Sequence, residues 1–278
     1  MAKRPGRPKI DVIRIVAGAV LDGVRRAVVI TPMAAVAFAS PWLVLFELIR
    51  SFPRSSEAAL AGLGLTLVSI VTLGVAMQSL LAESASTDLR RIRPNWSLDL
   101  VATGRRFIGD LVVSLIGLGL SSTAAVIGGV AVGVSWTAIA PGDGSAVWWA
   151  IAAAALAMVP AAVLQSPWAV AIPVSHVEGV GLASALQRSV VLTRGQRLRI
   201  SIPQAAYLAA WPGAFAAFAY GGIAFHLRGQ ASEVALALLF SVLGVLAAIE
   251  ALGKVRLYRE LAAVEGAVGA STLAEVFE

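Results

Sequence analysis

Six long, largely uncharged apolar runs divide this chain, and the basic residues between them alternate between dense and sparse. The runs lie near Ala27–Ile49, Ala58–Ala82, Leu111–Ala140, Ala146–Val177, Ile200–Leu227 and Val234–Gly253. Each is long enough to cross a bilayer as a helix, which takes about 20 apolar residues. They are too long and too continuously apolar for the short alternating strands of a membrane barrel. Six crossings place 19 lysines and arginines on one side and 3 on the other. Basic loops stay on the cytoplasmic side, so the expected topology has both termini in the cytoplasm.

The expected fold is therefore all-α: a polytopic membrane helix bundle of about six transmembrane helices, with amphipathic interfacial helices on the cytoplasmic side. The chain divides into a cytoplasmic tail and interfacial helix at 1–26, a six-span domain at 27–253 and a cytoplasmic C-terminal segment at 254–278. A hydrophobic fraction of 58%, a charged fraction of 14% and a mean hydropathy of +0.84 lie outside the range of soluble domains. The pI near 10.5 does not argue for nucleic acid, because the charge is sided. In this topology the cytoplasmic face carries +7 and the outer face −1. Such a face suits the anionic headgroups of an inner leaflet, with each basic residue contributing ~1 kcal/mol near the surface. Cysteine is absent, which removes disulfides, thiolate metal sites and cysteine nucleophiles. Asp11, Arg14, Asp22, Arg25 and Arg26 interrupt what would be the apolar core of a secretory signal, so the first span is expected to be retained.

Between 10 and 26, Ile10, Ile13, Val16, Val20 and Val24 recur every three or four residues among charged neighbours, the pattern of a helix lying in an interface. Both longer cytoplasmic connections read as a short amphipathic helix, an arginine pair and a new span. In the first, Pro94–Asn95 breaks the chain, Asn95 or Ser97 caps, and Arg105 and Arg106 close the helix. In the second, Glu178 occupies the first turn and Arg194–Gly195 supplies a basic last turn and a left-handed cap. The last span runs on to Leu261, Glu265–Gly266 breaks it, and Ser271 caps a short helix ending at Phe277.

Two stretches carry a wider pattern. One is Pro173-Val-Ser-His-Val-Glu178-Gly, continuing through Ala185-Leu-Gln-Arg188-Ser-Val-Val-Leu-Thr-Arg194-Gly195 to Ile200; the other is Leu257-Tyr258-Arg-Glu-Leu261, on through Glu265-Gly266 to Val276-Phe277. Together they resemble the glycerophosphoryl diester phosphodiesterase membrane-domain family and its six-span bacterial relatives. Val190 stands where that family often has tryptophan, and Ala262 where a basic residue commonly follows the exit leucine. The soluble phosphodiesterase domain of some relatives is absent, so the resemblance implies a bacterial cytoplasmic (inner) membrane protein and no phosphodiesterase activity.

Candidate chemistry is sparse. The two histidines, His176 and His226, fall at opposite membrane faces in this topology and share neither a metal nor a proton. His176 reads as a solvated interfacial side chain, the alternative being a small pH-sensitive pair with Glu178. Glu250 lies within an apolar run, and Gln78, Gln165 and Gln204 fall in the cytoplasmic halves of their spans. These four outline a possible vestibule open to the cytoplasm. The competing reading pairs Glu250 with Lys254 and joins the amides between helices. Gly128, Gly129 and Gly133 form a small-residue packing face. Prolines 32, 41, 160, 167, 173, 203 and 212 fall inside spans and free backbone carbonyls there. Trp42, Trp148, Trp149 and Trp168 sit toward span ends as anchors, and Trp211 lies deeper as a core residue. No phosphate loop, nucleophile elbow or metal-protease motif is present.

The leading expectation is a non-enzymatic inner-membrane protein without cofactor that organises lipid or a partner complex through its basic cytoplasmic face. Arg105, Arg106, Arg188, Arg194, Arg197 and Arg199 are the expected lipid-headgroup or partner contacts. Anionic membrane lipids are the expected partners, with a protein partner or second copy beside them and no nucleic acid. The alternative is a transporter or channel-like protein for a small or lipidic solute.

Overall fold

Every element in the computed structural model is helical, and it describes residues 10–51, 56–89, 96–139, 145–224 and 230–277. In order these are α1 (Val12–Arg25), α2 (Ala27–Ala34), a π turn at Ala35–Ala39, α3 (Ser40–Ser51), α4 (Ser56–Leu89) and α5 (Trp96–Ile139). Then follow α6 (Ala146–Gln165), a 3-10 turn at Ser166–Trp168, α7 (Ala171–Glu178), α8 (Leu182–Thr193), α9 (Arg197–Ala224) and α10 (Gln230–Phe277). Among the described residues, three helical stretches are long and apolar enough to cross a membrane: Thr103–Ser135, Trp148–Glu178 and Glu233–Gly266. Shorter apolar helices cover Ala27–Ala39 and Val68–Ser84.

Proline chemistry shapes the first apolar segment. In the five-residue π pattern, the amide that should face the Val36 carbonyl belongs to Pro41, which has none. Ser40 Oγ donates to that carbonyl instead at 2.5 Å. Thr66 Oγ1, buried on α4, donates to the Pro41 carbonyl at 3.3 Å. The acceptor that Pro41 frees is thus satisfied inside the protein, as an apolar medium requires. Prolines 160, 203 and 212 stay within unbroken helices, whereas the chain does break around Pro167. Ser189 Oγ and Thr193 Oγ1, one turn apart on α8, donate to the Pro167 carbonyl at 2.8 and 3.4 Å and pin the break.

Three anticipated boundaries differ. The separate helix expected before the third span is the first part of α5, a single 44-residue helix; the expected break at Pro94–Asn95 lies outside the described residues. Helix α10 continues through Glu265–Gly266 to Phe277. A mid-helix glycine costs only about 1 kcal/mol relative to alanine, and Glu265 is held by Arg188. Glu178 ends α7, and no acidic residue lies in the first turn of α8. Gly179 follows it in the left-handed region with φ 70°, and Gly195 after α8 has φ 84°, so both glycines close helices.

The main core joins Ile30, Ala34 and Phe38 of the first segment, Met77 and Leu81 of α4, and Phe240, Leu243, Ala247 and Ala251 of α10. Trp211 packs against it, its ring centroid 6.0 Å from that of Phe38. A second cluster surrounds α7 and α8 and includes Ile10, Ile15, Val174, Leu192 and Leu257. Helices α5 and α6 meet through the expected glycine face: a Cβ on Gly128 would lie 3.0 Å from the Ala153 carbonyl oxygen and 2.8 Å from Ala157 Cβ.

Candidate functional site

Two features stand out, a buried ionic cluster and an open apolar groove. On α4 and α5 the cluster is built from pairs spaced four residues apart, which helical geometry stacks on one face. Ser79 and Glu83 come from α4, Arg106 and Asp110 from α5, and Ser175 and His176 from α7. His176 is fully buried. Its Nδ1 lies 2.6 Å from Glu83 Oε2 and its Nε2 2.8 Å from Asp110 Oδ2. Arg106 Nη1 donates to Glu83 Oε2 at 2.9 Å and to the His176 carbonyl at 3.5 Å. Ser79 Oγ donates to Asp110 Oδ2 at 2.6 Å. Ser175 Oγ lies 3.5 Å from Asp110 Oδ1 and donates to the Ile172 carbonyl at 2.9 Å.

Both ring nitrogens of an imidazole donate only in the imidazolium form. In that form two cations, Arg106 and His176, face two carboxylates, and the buried set is neutral. His176 is thus not a solvated interfacial side chain, which corrects the expectation. Its neighbour in sequence, Glu178, instead accepts from Arg188 Nε and from Tyr258 Oη, each at 3.1 Å. The sequence signal for the cluster was positional. Glu83, Asp110 and His176 each fall within two residues of the cytoplasmic boundary of an apolar run, where a lone charge reads as the end of a span.

The arginines proposed as surface contacts fall into two groups. Arg106 turns inward to Glu83. Arg188 binds Glu178 and also Glu265, the latter through Nη2 at 2.6 Å, and so ties α8 to α7 and α10. Those two carboxylates, Glu265 first, raise the pKa of the Arg188 guanidinium. Arg199 Nη1 donates to the Ile10 carbonyl at 3.1 Å. Arg105, Arg194 and Arg197 have exposed side chains.

The vestibule residues also separate. Gln165 Nε2 donates to the Gly117 carbonyl at 2.9 Å and to Ser121 Oγ at 2.6 Å, and Gln204 Nε2 donates to Gln165 Oε1 at 3.1 Å. Gln204 Oε1 is buried without a hydrogen-bond partner. Glu250 meets Lys254, one turn on, at 2.5 Å. Gln78 is half-buried on α4, and neither it nor Gln165 lines the groove.

The groove, about 670 Å³, lies among α1, α9 and α10 and contains Gln204 and Glu250. Its walls are Ile13, Val16 and Val20 of α1 with Ile202, Ala206 and Ala210 of α9; Ile249, Gly253 and Leu257 of α10 complete the lining. Tyr207, Gln204 and the Glu250–Lys254 pair are its polar members. Helix α1 is started by Asp11, whose Oδ1 accepts from the Arg14 amide at 3.1 Å. It is held to α10 by Arg256 Nε donating to Asp22 Oδ2 at 2.7 Å. That hydrogen bond is the largest influence keeping the Asp22 carboxyl below its ordinary pKa.

No family model, curated protein or solved structure matches this chain. Among the described residues, no group of three or more His, Cys, Asp or Glu side chains is placed to hold a metal ion.

Proposed function

We propose that the chain is a six-span membrane protein of the bacterial cytoplasmic membrane, with both termini inside, that binds anionic lipid at its cytoplasmic end and catalyses no reaction. The observation that carries this reading is the groove. It is apolar along its walls, open at the side, lined by one cation, Lys254, and bordered by segments that carry Arg14, Arg197, Arg199 and Arg256. Its volume lies in the ~300–1,000 Å³ range of small-molecule sites. The resemblance of Pro173–Ile200 to the six-span membrane-domain family points to the same setting.

Passage of a small polar solute is less well supported. Gln165 is spent on α5 and on Gln204, Gln204 gives its Nε2 to Gln165 and keeps only Oε1 without a partner, and Glu250 is neutralised by Lys254. What would remain is an apolar surface with one ion pair, Gln204 Oε1 and Tyr207, which suits a lipidic molecule. The reading is tested in nanodiscs of equimolar phosphatidylglycerol and phosphatidylcholine, by measuring the lipid that stays with the protein on detergent extraction. Wild type should be enriched in phosphatidylglycerol. The Arg105→Gln, Arg197→Gln double variant, which removes two exposed cations, should lose much of that enrichment. No enrichment in wild type would sink the proposal.

A further inference from the structure

We infer that the groove between α1 and α9 is a discrete site for one anionic phospholipid, seated with an acyl chain along Val16, Val20 and Ala206 and its phosphate at Lys254. This rests on the lipid-binding reading above and gives it an address. A lipid of the general annulus meets a convex apolar surface, but here three helices enclose a concave one. Close approach makes it so. Gly23 of α1 sits where a Cβ would fall 2.9 Å from Ile249 Cγ1, and a Cβ on Gly253 would fall 3.6 Å from Ala19 Cβ. Those contacts draw the Ala19–Gly23 edge of α1 onto α10 and leave the adjoining apolar edge, with Ile13, Val16 and Val20, facing α9 across the gap. Ile13 on that edge is 81% exposed and Ile202 across from it 67%, apolar area that an acyl chain would cover.

Charge decides which lipid. The segments that border the groove, 11–22, 197–207 and 250–256, hold five cations (Arg14, Arg197, Arg199, Lys254 and Arg256) against three carboxylates (Asp11, Asp22 and Glu250). Asp22 is bound to Arg256 and Glu250 to Lys254, so the surplus is positive. Lys254 is the one cation that lines the groove, and it stands at the cytoplasmic end of the sixth apolar run in the proposed topology. A phosphodiester there would share Lys254 with Glu250, and the positive surplus that favours an anion comes from Arg14, Arg197 and Arg199 on the bordering segments. A zwitterionic phosphatidylcholine brings no net charge to that surplus.

The test is native mass spectrometry of the full chain in the same mixed nanodiscs, with wild type, Lys254→Gln, Lys254→Arg and Ala206→Trp. Lys254→Gln should weaken retention of one phosphatidylglycerol about fivefold, the effect of one basic residue near an anionic surface. Lys254→Arg should restore it. Ala206→Trp, which fills the wall without touching charge, should remove the bound lipid while leaving the protein monodisperse with an unchanged melting temperature. If wild type retains phosphatidylglycerol but both Lys254→Gln and Ala206→Trp retain as much, the groove assignment falls and the lipid-binding reading stands. If wild type shows no preference for phosphatidylglycerol over phosphatidylcholine, both fall.

Discussion

At the residue scale, His176, Glu83, Asp110 and Arg106 behave as one unit. A charge buried away from water is costly, and each of these is tolerable only beside the others. Replacing His176 with alanine leaves two buried carboxylates without the cation between them, and a loss of about 3–5 kcal/mol is expected for breaking such a set. Thermal unfolding in detergent should show His176→Ala as strongly destabilised. The double change His176→Leu, Asp110→Asn keeps the Arg106–Glu83 pair, removes the other two buried charges and should recover much of the loss. A melting temperature for His176→Ala equal to wild type would show that the cluster is not a structural tie. None of this was legible as a cluster in the sequence. Three helices bring the members together from positions 27 and 66 residues apart, and one-dimensional hydropathy reports only that each marks the end of an apolar run. Glu250 is the opposite case: its partner Lys254 lies one helical turn away, so the pairing was readable from spacing alone.

At the scale of elements, glycine placement decides how close the helices come. Gly244 on α10 faces Ala34, where an added Cβ would lie 2.9 Å from Ala34 Cβ and 3.1 Å from its carbonyl oxygen. A backbone carbonyl cannot swing aside as a side-chain tip can. Gly244→Ala should therefore destabilise by about 1–3 kcal/mol, the ordinary range for overpacking a fitted interface. Gly119→Ala on α5, with nothing within 4 Å of its added Cβ, should be neutral or slightly stabilising. Equal melting temperatures for the two variants would refute the close-packing argument. The small-residue face at Gly128, Gly129 and Gly133 was visible in the sequence because its spacing is that of a helix face, although the sequence did not say that α6 covers it. Breaks were harder to read. Proline marks a possible break, and whether one occurs depends on distant hydroxyls such as Ser189 that accept the role of partner.

For the whole molecule, the proposed topology makes the cytoplasmic end the built end: the ionic cluster, the Arg188 tie to Glu178 and Glu265, and the mouth of the groove all gather there. The helical fold class and the apolar runs were legible because lipid leaves so few options for a spanning backbone. The shape of the groove was not, since it depends on how α1 leans on α10. Sidedness itself can be checked directly because the chain has no cysteine. A single Ser145→Cys, just before α6, should react with a membrane-impermeant maleimide in intact spheroplasts. Ser184→Cys, exposed on α8, should react only after permeabilisation. Both follow from the 19 to 3 division of basic residues, an imbalance large enough that either insertion orientation would be far from equally populated. The reverse labelling pattern would invert the molecule, place the groove mouth outside the cell, and remove the inner-leaflet lipid from the proposed site.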